Sequence, residues 1–250
     1  MQTRWRGRRI ALLGLASSVF VLRSGRAARP RLTLATGALP PLTAAAGQPG
    51  FLDALAEEMF GRVGLDVTLV VLPFERALIN ANAGTEDGDM FRAAGFEKDF
   101  PNLVVVPEKV LDLDFVAYTL RPDVQVRDWN ELASYRVGYV TGWKILERNV
   151  KAAREITTVR AIDHLFPLLA SGRIDVALIT PWQGVRLGRP SGLALRALEP
   201  PLARVPMFIY LHRRHEALVA PLTAALLELK RDGSWQRLYD RILKPVAAPR

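Results

Sequence analysis

Cysteine is absent from all 250 residues. Its absence excludes a disulfide framework, a thiolate metal site, a cysteine nucleophile and a cysteine-linked lipid anchor. Histidine is scarce: His164, His212 and His215 are the three copies, and the run His212-Arg213-Arg214-His215 sets two of them beside arginines that oppose a bound cation. No zinc spacing results, and no metal is expected. No G-x-S-x-G elbow and no Gly-rich phosphate loop occurs, so neither a serine hydrolase nor a nucleotide cradle is signalled, and no cofactor is expected. The apolar stretch of residues 10–22 is 13 residues long, where spanning a bilayer takes about 20.

What is present is apolar bulk. Half of the residues are hydrophobic, enough for one large core or two smaller ones. The net charge of +9 points to nucleic acid until its location is considered. Residues 1–27 hold six arginines and no acid, and the remainder carries +3. The mature surface is therefore of mixed sign, and no nucleic-acid partner is expected. The same 27 residues have a basic start, the apolar stretch, and the small residues Gly25 and Ala27. That is the build of a secretory signal peptide cut after Ala27, and it predicts a soluble periplasmic or secreted protein.

Strand and helix patterns alternate, which favours an α/β class. The stretch from Gly64 to Arg92 organises the rest: a β-branched and Leu-rich run at 67–72, Pro73 as its stop, helical spacing at 75–83, Gly84 as terminator, and a second strand from Asp87. Two parallel strands open on one sheet edge, which puts Phe74 and Arg92 at one crevice. An aromatic face beside a guanidinium suits a small ligand with an apolar part and an anionic group.

Before this stretch come a strand at 31–36 and an amphipathic helix at 50–62. After it, short strands are expected at 103–106 and 115–120, separated near Pro107. A new series follows: a helical turn capped by Asp128, a strand at 136–140, a helix at 142–153, a strand at 157–161, a helix at 163–170 and a strand within 172–180. Residues 181–206 are rich in proline, glycine and arginine with little periodicity. A strand at 205–211, a strongly amphipathic helix at 216–231 and a helix capped by Ser234 close the chain, with a disordered tail from Pro245.

The order of these elements resembles the solute-binding proteins of family 3, the periplasmic receptors of ABC importers for amino acids and related polar solutes. The resemblance rests on Gly50-Phe51 with Leu55-Ala56-Glu57, on Pro73-Phe74-Glu75-Arg76-Ala77-Leu78 with Gly84 and Asp87, on Arg136-Val137-Gly138, on Leu169 with Gly172-Arg173-Ile174-Asp175, and on Leu218 through Lys230 with Asp232-Gly233. It implies a two-lobed type II periplasmic-binding-protein clamshell. Lobe one would hold residues 28–117 and 207–244, with lobe two inserted at 118–206, and crossings near 116–120 and 203–207 would act as hinge strands. It further implies a monomer that captures a small polar or anionic, amino-acid-like solute and hands it to an ABC permease in the inner membrane.

On that reading Phe74, Arg76 and Arg92 form one wall of the site. Thr141, Gly142, Trp143 and Lys144 face them at a strand end, where free backbone N–H groups would receive an anion, and Thr180 and Trp182 complete the wall. Two departures mark this chain off from the amino-acid receptors. Their carboxylate-binding arginine is missing from Phe96-Glu97-Lys98-Asp99, with Arg92 as a positional substitute, and Thr180 stands where they carry an acidic residue. No catalytic residue is expected. The alternatives are a dehydratase-like enzyme on the same scaffold, with Glu75 and Glu147 as candidate acids, and a sensor that reports solute without transport.

Overall fold

A computed structural model describes residues 29–191 and 194–247, so the leader and its expected cleavage site lie outside the described residues. The first parallel unit forms where the apolar pattern places it. β1 (Arg31–Thr36) pairs in parallel with β2 (Asp66–Val71) on one side and β3 (Gly88–Ala93) on the other. Between β1 and β2 lies α1 (Phe51–Arg62), which buries Leu52, Leu55, Ala56 and Met59 on one stripe; its start is held by the Asp53 carboxylate accepting from the Gly50 N–H at 3.0 Å. α2 (Phe74–Ala83) buries Phe74, Ala77, Leu78 and Ala81, and Gly84 ends it in the left-handed region at φ 75°.

One strand then runs through both halves of the molecule. β4 (Leu103–Thr119) is continuous over 17 residues, whereas Pro107 suggests two separate strands. The proline is accommodated because the register shifts between Val106 and Leu111, so its missing N–H falls in the irregularity. Beyond β4 come β5 (Arg136–Val140), α3 (Lys144–Asn149), β6 (Glu155–Val159), α4 (Leu165–Ala170), β7 (Val176–Ile179), α5 (Pro181–Ser191) and β8 (Arg196–Ala197). β9 (Ala203–His212), α6 (Val219–Arg231), α7 (Ser234–Ile242) and α8 (Lys244–Ala247) complete the chain.

The strand order β2-β1-β3-β9-β4-β7-β5-β6 has a seam inside β4. Leu103 to Phe115 pair with β9 of the first sheet; from Val116 onward the strand pairs with β7, and Tyr118 and Thr119 pair with β8. The chain returns between Leu198, whose N–H donates to Ala117, and Leu202, whose N–H donates to Phe115. These two passages join the lobes. Within each lobe the parallel strands are β1, β2 and β3, or β5, β6 and β7, and their carboxyl ends open towards the gap between the lobes.

Several local expectations need correction. The helix expected over 142–153 is only Lys144–Asn149. The irregular stretch after Thr180 is helical as α5, its proline at the first position, where a missing N–H costs nothing. The helix expected over 163–170 is a short 3-10 turn at Ile162–His164 followed by α4, and Asp163 pairs with Arg186. The tail from Pro245 is helical through Ala247, with Val246 packed on the core.

Lobe two has an electrostatic staple. Asp175, 3% exposed, accepts from Arg136 Nε (3.0 Å) and Nη2 (2.8 Å), from Arg136 N–H (2.9 Å) and from Arg121 Nη1 (2.9 Å). The Arg136 hydrogen bonds come first among the causes that hold its carboxyl far below the usual range of 3.8. A depressed folded pKa means the contribution is complete above 3.8 and is lost as pH falls below it towards the folded value. Asp175→Ala should cost about 2–3 kcal/mol at pH 7 in urea unfolding. The difference from wild type should shrink once pH falls below that of an ordinary carboxylate.

Candidate functional site

At the seam the two lobes enclose a cavity of about 50 Å³. Its residues come from the ends of four strands, β1, β2, β3 and β5, and from β4, β9 and α3. Phe74 begins α2 after β2, and its ring meets Trp143, which precedes α3 in the other lobe, edge to face at 5.6 Å and 84°. Phe115, at the switch point of β4, also meets Trp143 edge to face, at 5.6 Å and 78°. Leu39, Phe91, Phe96, Leu113, Ile145 and Met207 fill in the wall. The box is aromatic and aliphatic, and it is closed by contact between the lobes.

Glycine permits close approach at two positions, one within lobe one and one between the lobes. A Cβ on Gly37 would come within 2.0 Å of the Phe74 ring. A Cβ on Gly142 would lie 2.7 Å from the Glu75 backbone nitrogen and 2.9 Å from Phe74 Cβ, and its φ of 88° disfavours any side chain. Backbone of lobe two thus rests directly on the head of α2. Around this contact, Lys144 Nζ bridges Glu75 (3.4 Å) and Glu147 (2.7 Å), Arg148 reaches Asp99 (2.8 Å) over the face of Phe96, and Gln183 donates to the Pro40 carbonyl (2.6 Å).

Both cations in the wall are already paired. Arg92 is 5% exposed; its Nε donates to Asp89 at 2.8 Å and its Nη2 to the Phe74 carbonyl at 2.7 Å, while Asp89 also accepts the Phe91 N–H. Burial pushes the Asp89 carboxyl up, against the pull of Arg92. Burial also opposes the charge on Lys144, but Glu147 and Glu75 outweigh it and raise its pKa above the usual lysine value. For Glu147 burial is likewise outweighed, by Lys144 and the Gly142 N–H, and its pKa is lowered.

The residues singled out in the sequence are distributed as follows. Phe74, Arg92, Gly142, Trp143 and Lys144 line the cavity. Thr180 and Trp182 are buried and outside its wall; Thr180 follows Ile179, whose partner in β4 is Val116, the neighbour of Phe115. Arg76 is exposed on α2, away from the cavity, and Thr141 is half-buried with its N–H on Val159. Two of the N–H groups expected in the anion cradle are already taken. Glu147 Oε1 takes the Gly142 N–H at 2.7 Å, the Trp143 N–H goes to Val140, and α3 has six residues only. Phe115, Phe96 and Met207 were not foreseen as site residues, because each reads as an ordinary strand or loop apolar residue until β4 and β9 are paired. Among the described residues, the buried polar atoms without a hydrogen-bond partner include Trp143 Nε1, Thr180 Oγ1 and Trp182 Nε1, and Thr36 Oγ1 at the carboxyl end of β1.

No family model matches the sequence. A protein of Shewanella oneidensis, described only as uncharacterized, is 23% identical over 190 residues, covering 70% of this chain and 69% of that one. An ancestral arginine-binding protein bound to arginine superimposes with a TM-score of 0.74 at 18% identity, over 86% of this chain and 99% of that chain. A putative L-cystine ABC transporter from Listeria monocytogenes gives 0.71 at 18% identity, covering 86% and 96%. A histidine kinase sensor domain with similarity to periplasmic binding proteins gives 0.75 at 16% identity, covering 86% and 97%. Together with two sheets joined through β4 and the return into β9, these likenesses show that the chain has the two-lobed type II periplasmic-binding-protein fold.

Proposed function

We propose that the protein is a periplasmic solute-binding protein that closes its two lobes on one small molecule and, as a monomer, presents it to the permease of an ABC importer. The observation that carries this reading is the cavity at the seam, walled by strand ends from both lobes. Ligand pockets usually measure about 300–1,000 Å³. A cavity of about 50 Å³ under direct interlobe contact therefore fits a clamshell that must part to admit its solute. Ligand contact is assigned to Phe74, Arg92, Gly142, Trp143 and Lys144, with Thr180 and Trp182 behind them; Arg76 and Thr141 stand outside the wall.

A solute that touches both lobes shifts an open ensemble towards the closed one. Small-angle scattering of the purified protein, with and without hits from a thermal-shift screen of amino acids, sugars, polyamines, amides and carboxylates, tests this. The radius of gyration should fall on binding, and a ligand at a hundredfold its Kd should add about 2.7 kcal/mol to stability. A fixed shape indifferent to every compound would overturn the reading.

The TM-score of 0.75 to a kinase sensor domain keeps a sensing role as the second reading. Both roles need closure, and co-purification with a permease or with a membrane kinase separates them. A dehydratase-like activity draws less support. Glu147, one of the two candidate acids, is held ionised by Lys144 and the Gly142 N–H, and Glu75 is exposed with its carboxylate on Lys144. Glu147 is therefore not arranged to deliver a proton near neutral pH.

A further inference from the structure

We infer that the ligand is an uncharged, flat, apolar molecule carrying a hydrogen-bond acceptor for the Trp143 indole N–H, and not a zwitterion or an anion. The inference deepens the solute-binding reading and rests on it.

The wall contains aromatic and aliphatic side chains and no acidic one. Its two cations are each paired with carboxylate: Arg92 with Asp89, and also with the Phe74 carbonyl, and Lys144 with Glu147 and Glu75. Three carboxylates thus stand directly on two cations, so an incoming carboxylate meets no uncompensated positive charge. The ammonium of an amino acid fares no better, because each of those carboxylates is already committed. Stripping water from either ion in this box has no compensating partner.

Trp143, a residue of the wall that is 5% exposed, carries an indole Nε1 with no hydrogen-bond partner. An indole N–H donates and cannot accept. It therefore selects a carbonyl, ether or similar oxygen on the ligand, while Phe74, Phe115 and the Trp143 ring itself select a flat apolar body by edge and face contacts. Thr180 Oγ1 and Trp182 Nε1, buried and unpaired near the same seam, are also able to donate. None of these groups offers the ion pair that an ammonium needs.

Three probes with the same phenylpropyl body separate the possibilities by calorimetry at pH 7: 3-phenylpropanamide, 3-phenylpropanoate and L-phenylalanine. The neutral amide should bind at least tenfold more tightly than either ionised compound. Trp143→Phe keeps a ring and removes the N–H; it should weaken the amide about tenfold more than it weakens propylbenzene, which has no acceptor and loses ring contact only. Tighter binding of the acid or the amino acid overturns the inference and leaves solute capture standing. Equal loss of amide and propylbenzene in the variant overturns the indole's role. Should that variant not fold, the three-probe comparison on the wild-type protein decides alone. Failure of the amide to bind overturns the inference, and if the broader thermal-shift panel is silent as well, the solute-binding reading falls with it.

Discussion

Asp89→Ala is expected to destabilise the protein by about 3–5 kcal/mol, the usual loss when one partner of a buried ion pair is removed. The Asp89 side chain is fully buried in β3 and that of Arg92 is 6% exposed. Their hydrogen bonds are linked to two others: Asp89 accepts the Phe91 N–H, and Arg92 Nη2 supports the Phe74 carbonyl at the head of α2. Alanine at 89 would leave a guanidinium in an apolar wall with one neutral acceptor. Set against a total stability of about 5–15 kcal/mol for a protein of ordinary stability, that is a large fraction. Urea unfolding measures it. The double variant Asp89→Leu with Arg92→Met, which removes both charges, should recover much of the loss. A loss under about 1 kcal/mol for Asp89→Ala would mean that Arg92 does not depend on Asp89, and would return it to consideration as an anion anchor.

Gly142→Ala should abolish tight closure and weaken solute binding at least a hundredfold. The added Cβ would need to occupy space 2.7 Å from the Glu75 nitrogen and 2.9 Å from Phe74 Cβ. Those neighbours are backbone and a Cβ at a helix start, so they cannot move aside as the end of a flexible side chain would. The positive φ of 88° adds about 1–2 kcal/mol of backbone strain for an L-residue. Relief comes most cheaply by parting the lobes, since α2 follows a strand of one sheet and the β5–α3 loop a strand of the other. Scattering should show a larger radius of gyration that no ligand reduces, with a cooperative unfolding transition retained. An unchanged shape and an unchanged Kd would show that lobe contact at Gly142 is dispensable. The exposed Arg148–Asp99 pair is a weaker tie, and ion pairs of that kind contribute about 0–1 kcal/mol.

Much of the α/β series was legible because its signals are local. The strand at 31–36 and the start of α2 at Pro73-Phe74 follow from β-branched runs and proline punctuation read over a few residues. The convergence of Phe74 and Arg92 followed from parallel strands opening at one edge. Where the reading failed, distance along the chain was the cause. Pro107 breaks a strand when viewed alone; paired with β9 it falls in a register shift. Residues 142–153 look helical, yet only six adopt that form, while Glu147 turns back to occupy the Gly142 N–H.

The amino-acid sequence by itself determined the class of fold, the order of its elements and the positions of the strand ends from which a site had to be built, because periodicity and chain breakers act between near neighbours. Only the tertiary structure decided what that site offers a ligand. Asp89 and Arg92 are three residues apart, yet their pairing inside the wall is decided only by the fold that buries them both. Phe115 and Trp143 became one aromatic box through pairing across the seam. The charge left over in a cavity depends on which partners burial brings within hydrogen-bond reach, and that is settled by long-range packing rather than by local pattern.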